Sequence, residues 1–165
     1  MRNRILLVGN GSSLLDKEYS NIINTYSIIV RFNSFRLSGY ERFVGNRTDV
    51  WFTVNRHHFD KINSFDKVVF HSWANQEKCK MFKELKQQRN DVEKVSENVL
   101  KKIPLSFPSS GLIAIYYFDC NVDLIGFDWW GTKKHHYGDL EVRGKLHNPK
   151  KEYEIIKSLN VNIIS

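Results

Sequence analysis

Short apolar runs recur along the chain at residues 5–9, 28–32, 50–54, 67–70, 122–126 and 161–164. Each ends in a polar or glycine-containing stretch, which predicts buried strands. The segments between several of them read as helices. Residues 75–88, NQEKCKMFKELKQQ, are polar with Met81, Phe82 and Leu85 on one side, the pattern of an amphipathic surface helix. The run SSGLIAIYYF is apolar all round and predicts a buried helix with a serine cap. Pro149 fits the first position of a last helix, KKEYEIIKSL, with Asn148 as its cap, and NVNIIS then adds a strand. Strands alternating with helices predict a single-domain α/β fold over residues 1–165, Rossmann-like, with an open, mostly parallel sheet and helices on both faces. Such sheets bind ligands beyond the carboxyl ends of their strands. Three polar loops fall there: residues 9–13, 33–38 and 127–147.

Charge narrows the choice of ligand. The chain of 165 residues carries a net charge of +7 and is 41% hydrophobic. A basic surface draws phosphates, nucleic acid or anionic membranes. The Lys and Arg are scattered, with pairs at Lys101-Lys102, Lys133-Lys134 and Lys150-Lys151, and no nucleic-acid-binding signature accompanies them. The charge thus reads as a field favouring anionic small molecules or acidic surfaces, or simply as a solvated basic face. Cys79 and Cys120 form no CxxC pair, so neither a metal site nor a disulfide scaffold is expected. No run reaches the ~18–20 apolar residues of a membrane span. With no signal-like leader, the expectation is a cytoplasmic protein, peripheral at the inner membrane face where lipids are anionic.

Candidate chemistry lies in the loops. In Gly9-Asn10-Gly11-Ser12-Ser13 the small residues allow close backbone approach, and N–H groups at a helix start favour an anion. The turn fits neither GxGxxG nor GxxxxGK[ST], so it reads equally as a plain strand-to-helix turn. Asn33 ends a second apolar strand as a ligand contact or a turn-former. Arg47, in VGNRTDVWF, could hold a carboxylate or phosphate, or brace the sheet edge. Ser109, Ser110 and Gly111 make a second small polar helix start. His135, His136 and His147 stand in polar sequence, where histidine serves as acid or base near neutrality or is merely solvated.

Taken in order, these segments resemble the animal-type sialyltransferase family. The large sialyl motif is matched by LLVGNGSSLL, IIVRFN and VGNRTDVWF, and the small motif by PSSGLIAIYYF followed by LIGF. The third motif is matched by HHYGD and the very small motif by His147 with Glu152. The resemblance runs from residue 5 to residue 152. It implies the GT-A-like variant of the Rossmann-like fold and transfer of a CMP-activated ulosonic acid, sialic acid or Kdo, to a glycan or glycolipid hydroxyl. It implies donor contacts from Asn10, Gly11, Ser12, Asn33, Ser109, Ser110, Gly111 and Gly126, with Tyr137 shaping the site. His136 would stabilise the departing phosphate and His147 would be the general base. Arg47 would support the site, and Glu152 would orient the last helix or His147.

A single displacement by the acceptor hydroxyl would invert the anomeric centre. No cofactor or metal is implied, and the chain lacks the Asp-x-Asp that many UDP-sugar transferases use to hold a divalent ion. The family's disulfide is absent: Ile5 stands near the place of its first cysteine, and Cys120 lies near the second. Acceptor identity and oligomeric state are left open. An acceptor on a lipid-linked or lipopolysaccharide-type surface glycan would suit the basic charge. Gly131, Gly138 and Gly144 predict that the 127–147 loop closes over the nucleotide. Two readings of other classes stand beside this one: a non-catalytic nucleotide- or glycan-binding module, and nucleic-acid binding, which rests on charge alone.

Overall fold

The computed structural model of the chain describes residues 4–72, 76–129, 137, 147–159 and 161–165. Its centre is a seven-stranded sheet. The strands are β1 (Ile5–Val8), β2 (Ile28–Phe32), β3 (Val50–Thr53), β4 (Lys67–Phe70), β5 (Glu93–Lys94), β6 (Asp123–Ile125) and β7 (Asn162–Ile164). Their order is β5-β4-β3-β2-β1-β6-β7, and every neighbouring pair is parallel. The α/β class and the parallel sheet agree with the apolar pattern. Parallel strands are covered on both faces, which is why β1, β2 and β3 read as continuous apolar runs rather than alternating ones.

One face is packed by α5 (Ser110–Tyr117), with Leu112, Ile113 and Ile115 set among Leu7, Val30, Phe52 and Leu124. The last helix, α6 (Pro149–Ser158), joins it through Ile156. The other face is covered in two parts. Leu14, Tyr19, Ile23 and Val44 sit over β1 and β2, helped by the short helices α1 (Ser20–Ile23) and α2 (Glu41–Val44). Met81 and Leu85 of α3 (Gln76–Gln88) sit over Trp51, Val68 and Phe70. A further short helix, α4 (Glu97–Lys101), packs Leu100 into the same core as α5. Asn148 caps α6 as its position predicts, accepting from the Lys151 N–H at 3.1 Å. No helix among the described residues is long and apolar enough to cross a membrane. Cys79 and Cys120 are free thiols.

The strand order decides where a ligand can enter. The chain steps outward from β1 through β5, then returns to place β6 on the other side of β1. The connections leaving β1 and β6 run on to opposite sides of the sheet, which marks the carboxyl edge at these strands as the place for a ligand crevice.

Candidate active site

The crevice is lined by Gly9, Asn10 and Gly11 after β1, Phe32 and Asn33 at the end of β2, and Ser109, Ser110 and Gly111 at the start of α5. Gly126, Phe127, Asp128 and Trp129 after β6 close one side, and His147, Pro149 and Glu152 at the start of α6 close another. Residues more than a hundred positions apart thus meet at one switch point.

The β1 and β6 turns are locked together by backbone bonds, Gly9 N–H to the Ile125 carbonyl at 2.8 Å and Gly11 N–H to Gly126 at 3.0 Å. This contact explains the glycines. A Cβ on Gly9 would overlap the Gly126 carbonyl, one on Gly11 the Asp128 carboxyl, and one on Gly111 the Phe127 ring. They are small because protein meets protein there. Gly126 adds a positive φ of 70°. Asp128 accepts from the Ser13 N–H at 3.1 Å and from the Ser13 hydroxyl, which ties the two turns a second time. Ser12 opens the 3-10 turn Ser12–Leu15 just outside the lining.

Asn10 is oriented by its Nδ2 donating to the Phe32 carbonyl at 3.1 Å. Asn33 adopts a φ of 50°, a conformation asparagine tolerates better than most residues. Its Oδ1 accepts from the Val54 N–H at 3.0 Å, and its Nδ2 donates to Ser110 Oγ at 3.0 Å. The Trp51 indole donates to its carbonyl at 2.9 Å. Asn33 is therefore a fixed wall of the crevice, much of its polar capacity committed inward.

Ser109 caps α5, its Oγ accepting from the Leu112 N–H at 3.3 Å. Both its N–H and its hydroxyl donate to the Glu152 carboxylate, at 2.7 and 2.6 Å. Glu152 thus fastens the start of α6 to the start of α5. Burial pushes its carboxyl above the usual glutamate range, against the bonds from Ser109 and the field of His147, which hold it down. Its described hydrogen bonds go to Ser109 rather than to His147.

His147 Nδ1 lies 3.0 Å from the Phe107 carbonyl. A carbonyl only accepts, so the proton sits on Nδ1 and the basic nitrogen is Nε2. Three further residues stand elsewhere. Arg47 is outside the crevice: it pairs with Asp49 at 3.1 Å and donates to the Tyr26 carbonyl, bracing the start of β2 and β3. Tyr137 is buried, its hydroxyl donating to the Arg36 carbonyl and its ring against Tyr40, and its N–H donates to the Asn10 carbonyl at 2.8 Å, which ties it to the site. His135, His136, Gly131, Gly138, Gly144 and most of the predicted closing loop lie outside the described residues.

Four side chains of this region carry no local sequence signal: Asp128, Trp129, Arg31 and His71. Trp129 adopts a φ of 40° and packs its ring on Tyr153. Arg31 is buried beneath the sheet, donating to the carbonyls of Val44 and Arg47, and burial lowers its guanidinium to about 10. His71 follows β4 and lies 2.9 Å from Ser110 Oγ.

Comparison with known proteins meets this geometry from the sequence side. Residues 3–82 match the model of Glycosyltransferase family 29 (sialyltransferase). The resemblance read from the motifs is borne out there, over β1 to the middle of α3, which includes Asn10 and Asn33. This sialyltransferase-like chain is 36% identical over 58 residues to the rat CMP-N-acetylneuraminate-beta-galactosamide-alpha-2,3-sialyltransferase 4, covering 34% of this chain and 17% of that protein. It is 40% identical over 50 residues to the human CMP-N-acetylneuraminate-beta-1,4-galactoside alpha-2,3-sialyltransferase, covering 30% of this chain and 13% of that one. The matched stretches thus span less than a fifth of these relatives. The whole fold is similar to a mammalian sialyltransferase solved in complex with Gal-beta-1-3GalNAc-ortho-nitrophenol, with a TM-score of 0.66 over 98% of this chain and 69% of that one. Sequence identity in that superposition is 20%, so this likeness is one of fold.

Proposed function

We propose that this chain transfers sialic acid from its CMP ester to a glycan hydroxyl. The observation that carries the reading is the meeting of Asn10, Asn33, Ser109–Gly111, Gly126 and His147 around one crevice at the switch point. The start of α5 lines the crevice, and its N–H groups favour negative charge, which supports an anionic nucleotide as the ligand.

In this reading the acceptor oxygen attacks the anomeric carbon and the bond from that carbon to the phosphate oxygen breaks. CMP leaves with the electron pair, and the acceptor proton goes to His147 Nε2. One displacement inverts the anomeric centre. The Nδ1–H bond to the Phe107 carbonyl supports the base role, because it presents a lone pair on Nε2 in one ring orientation. The missing Asp-x-Asp supports a donor held without a divalent ion.

The test is calorimetric titration with CMP, UMP, AMP and UDP, with no metal added, followed by transfer from CMP-sialic acid. Selective CMP binding is expected. His147→Ala should keep that binding within a few-fold and lower turnover by ~10²–10⁴-fold, the usual share of general base catalysis. Absence of CMP binding, or tighter UDP binding that needs a divalent ion, would move the site to another donor class. Full turnover in His147→Ala would remove the base from the mechanism.

A further inference from the structure

Behind the crevice lies a histidine that neither the motifs nor the chemistry above uses. His71 follows the last residue of β4, two strands from β2, and only 4% of its surface is exposed. Its ring stacks on Phe52, centroids 5.0 Å apart at 27°. Its Nε2 is 2.9 Å from Ser110 Oγ. Packing does not call for this residue: a phenylalanine would fill the same slot against Phe52 without burying a polar ring, which costs free energy unless the ring is hydrogen-bonded. Its bond to Ser110 is the reason the polar ring is tolerated.

Ser110 is bound from two sides. The Val54 N–H on Asn33 Oδ1 fixes which end of the amide faces Ser110, so Asn33 Nδ2 donates to the hydroxyl. A serine hydroxyl has one proton and two lone pairs. Asn33 takes one lone pair. His71 takes either the proton or the second lone pair, according to its tautomer. One capacity remains for the crevice, and its direction is set by the other two.

We propose that His71 is a positioning residue of the nucleotide crevice, holding Ser110 Oγ from behind so that Asn33 and Ser110 offer the donor nucleotide one fixed polar edge. The inference rests on the CMP reading above. His71 performs no proton transfer in it. Burial, with Lys78 and His147 nearby, pushes its imidazole down to about 3, so it works as a neutral hydrogen-bonding group.

The test is CMP affinity in a double-mutant cycle of His71→Phe and Ser110→Ala, with the thermal midpoint of each variant measured alongside. His71→Phe keeps the ring and its stack. It should weaken CMP binding by ~5–10-fold, the value of one oriented hydrogen bond. In the Ser110→Ala background the same change should have almost no further effect, because the partner is already gone. His71→Gln, which can place a polar group near the former Nε2, should recover most of the affinity. A merely structural role would lower the midpoint and add to Ser110→Ala, and that additivity would overturn the proposal. Unaltered affinity in a folded His71→Phe would overturn it too. If His71→Phe does not fold, the wild-type ring is read directly: its Nε2 ¹⁵N resonance should shift on CMP addition, and a resonance unmoved at saturation would refute the role. Failure of the CMP reading looks different, since the wild-type protein would then not bind CMP at all.

Discussion

Glu152 spends both carboxylate oxygens on Ser109, at 2.7 and 2.6 Å, and is almost fully enclosed. Burial raises its titration above the ordinary glutamate value, so the folded chain keeps a proton over a window in which the unfolded chain has released it. The stability this group contributes is therefore fully present below the ordinary value and is lost as the pH rises through the raised one. The expected outcome is that wild-type protein loses stability relative to Glu152→Gln between acid and neutral pH. Urea unfolding of both across that range checks it, and a constant difference would show that Glu152 titrates normally. Sequence reasoning reached this residue as a helper of the last helix or of His147. It could not reach Ser109 as its partner, because the two stand 43 positions apart and only the packed fold joins them. The same holds for Asp128 on Ser13 and for His71 on Ser110, whose contacts leave no pattern in local spacing. Asn10, Asn33 and His147 were legible because they sit where an apolar run or a helix start stops, a local feature.

At the scale of elements, the loops after β1 and β6 behave as one unit. Gly126 combines a positive φ of 70° with a Cβ position 2.5 Å from Leu14 Cγ. Alanine there faces both backbone strain and overpacking, together roughly 2–4 kcal/mol. Gly39 has a φ of 85° with nothing within 4 Å of its Cβ position, so alanine there meets the strain alone, about 1–2 kcal/mol. Chemical denaturation of Gly126→Ala and Gly39→Ala should show the first to be clearly the more destabilised. Equal losses would mean that the β6 turn yields and that its contact with Leu14 carries no weight. The long elements were readable from the apolar pattern: six of the strands, the amphipathic α3 with Met81 and Leu85 inward, and the capped α5 and α6. The two-residue β5, Glu93–Lys94, and the single-turn helices α1 and α2 were not. They are shorter than the windows in which a period can be counted, and tertiary contacts decide them.

For the whole molecule, the decisive feature is the reversal of strand order between β1 and β6, which gives the sheet two unlike edges. At the carboxyl edge the joined β1 and β6 turns, Asn33 and the starts of α5 and α6 surround the crevice. At the amino edge they are sewn together. Tyr26 donates to Asp123 at 2.5 Å, Asp49 accepts from the Ile29 N–H at 2.7 Å, and Arg47 joins Asp49 to the Tyr26 carbonyl. Burial and Asp123 push the Tyr26 phenol up to about 12, so Tyr26 keeps the proton it donates to Asp123. The basic surface gives no such direction, since a net charge of +7 would attract an anion to either edge. Topology, not charge, therefore sets where the proposed nucleotide would bind. Hydrogen exchange with and without saturating CMP should show protection gained after β1, at Asn33, at the start of α5 and after β6. The amino-edge amides of Ile28, Ile29 and Lys67 should exchange unchanged apart from the global gain that any ligand of the native state confers, about 2.7 kcal/mol at a hundredfold excess over Kd. Comparison is therefore made between the two edges within one protein. Protection centred on the amino edge would place the nucleotide at the sewn side and would separate this chain's binding site from the switch point of its sheet.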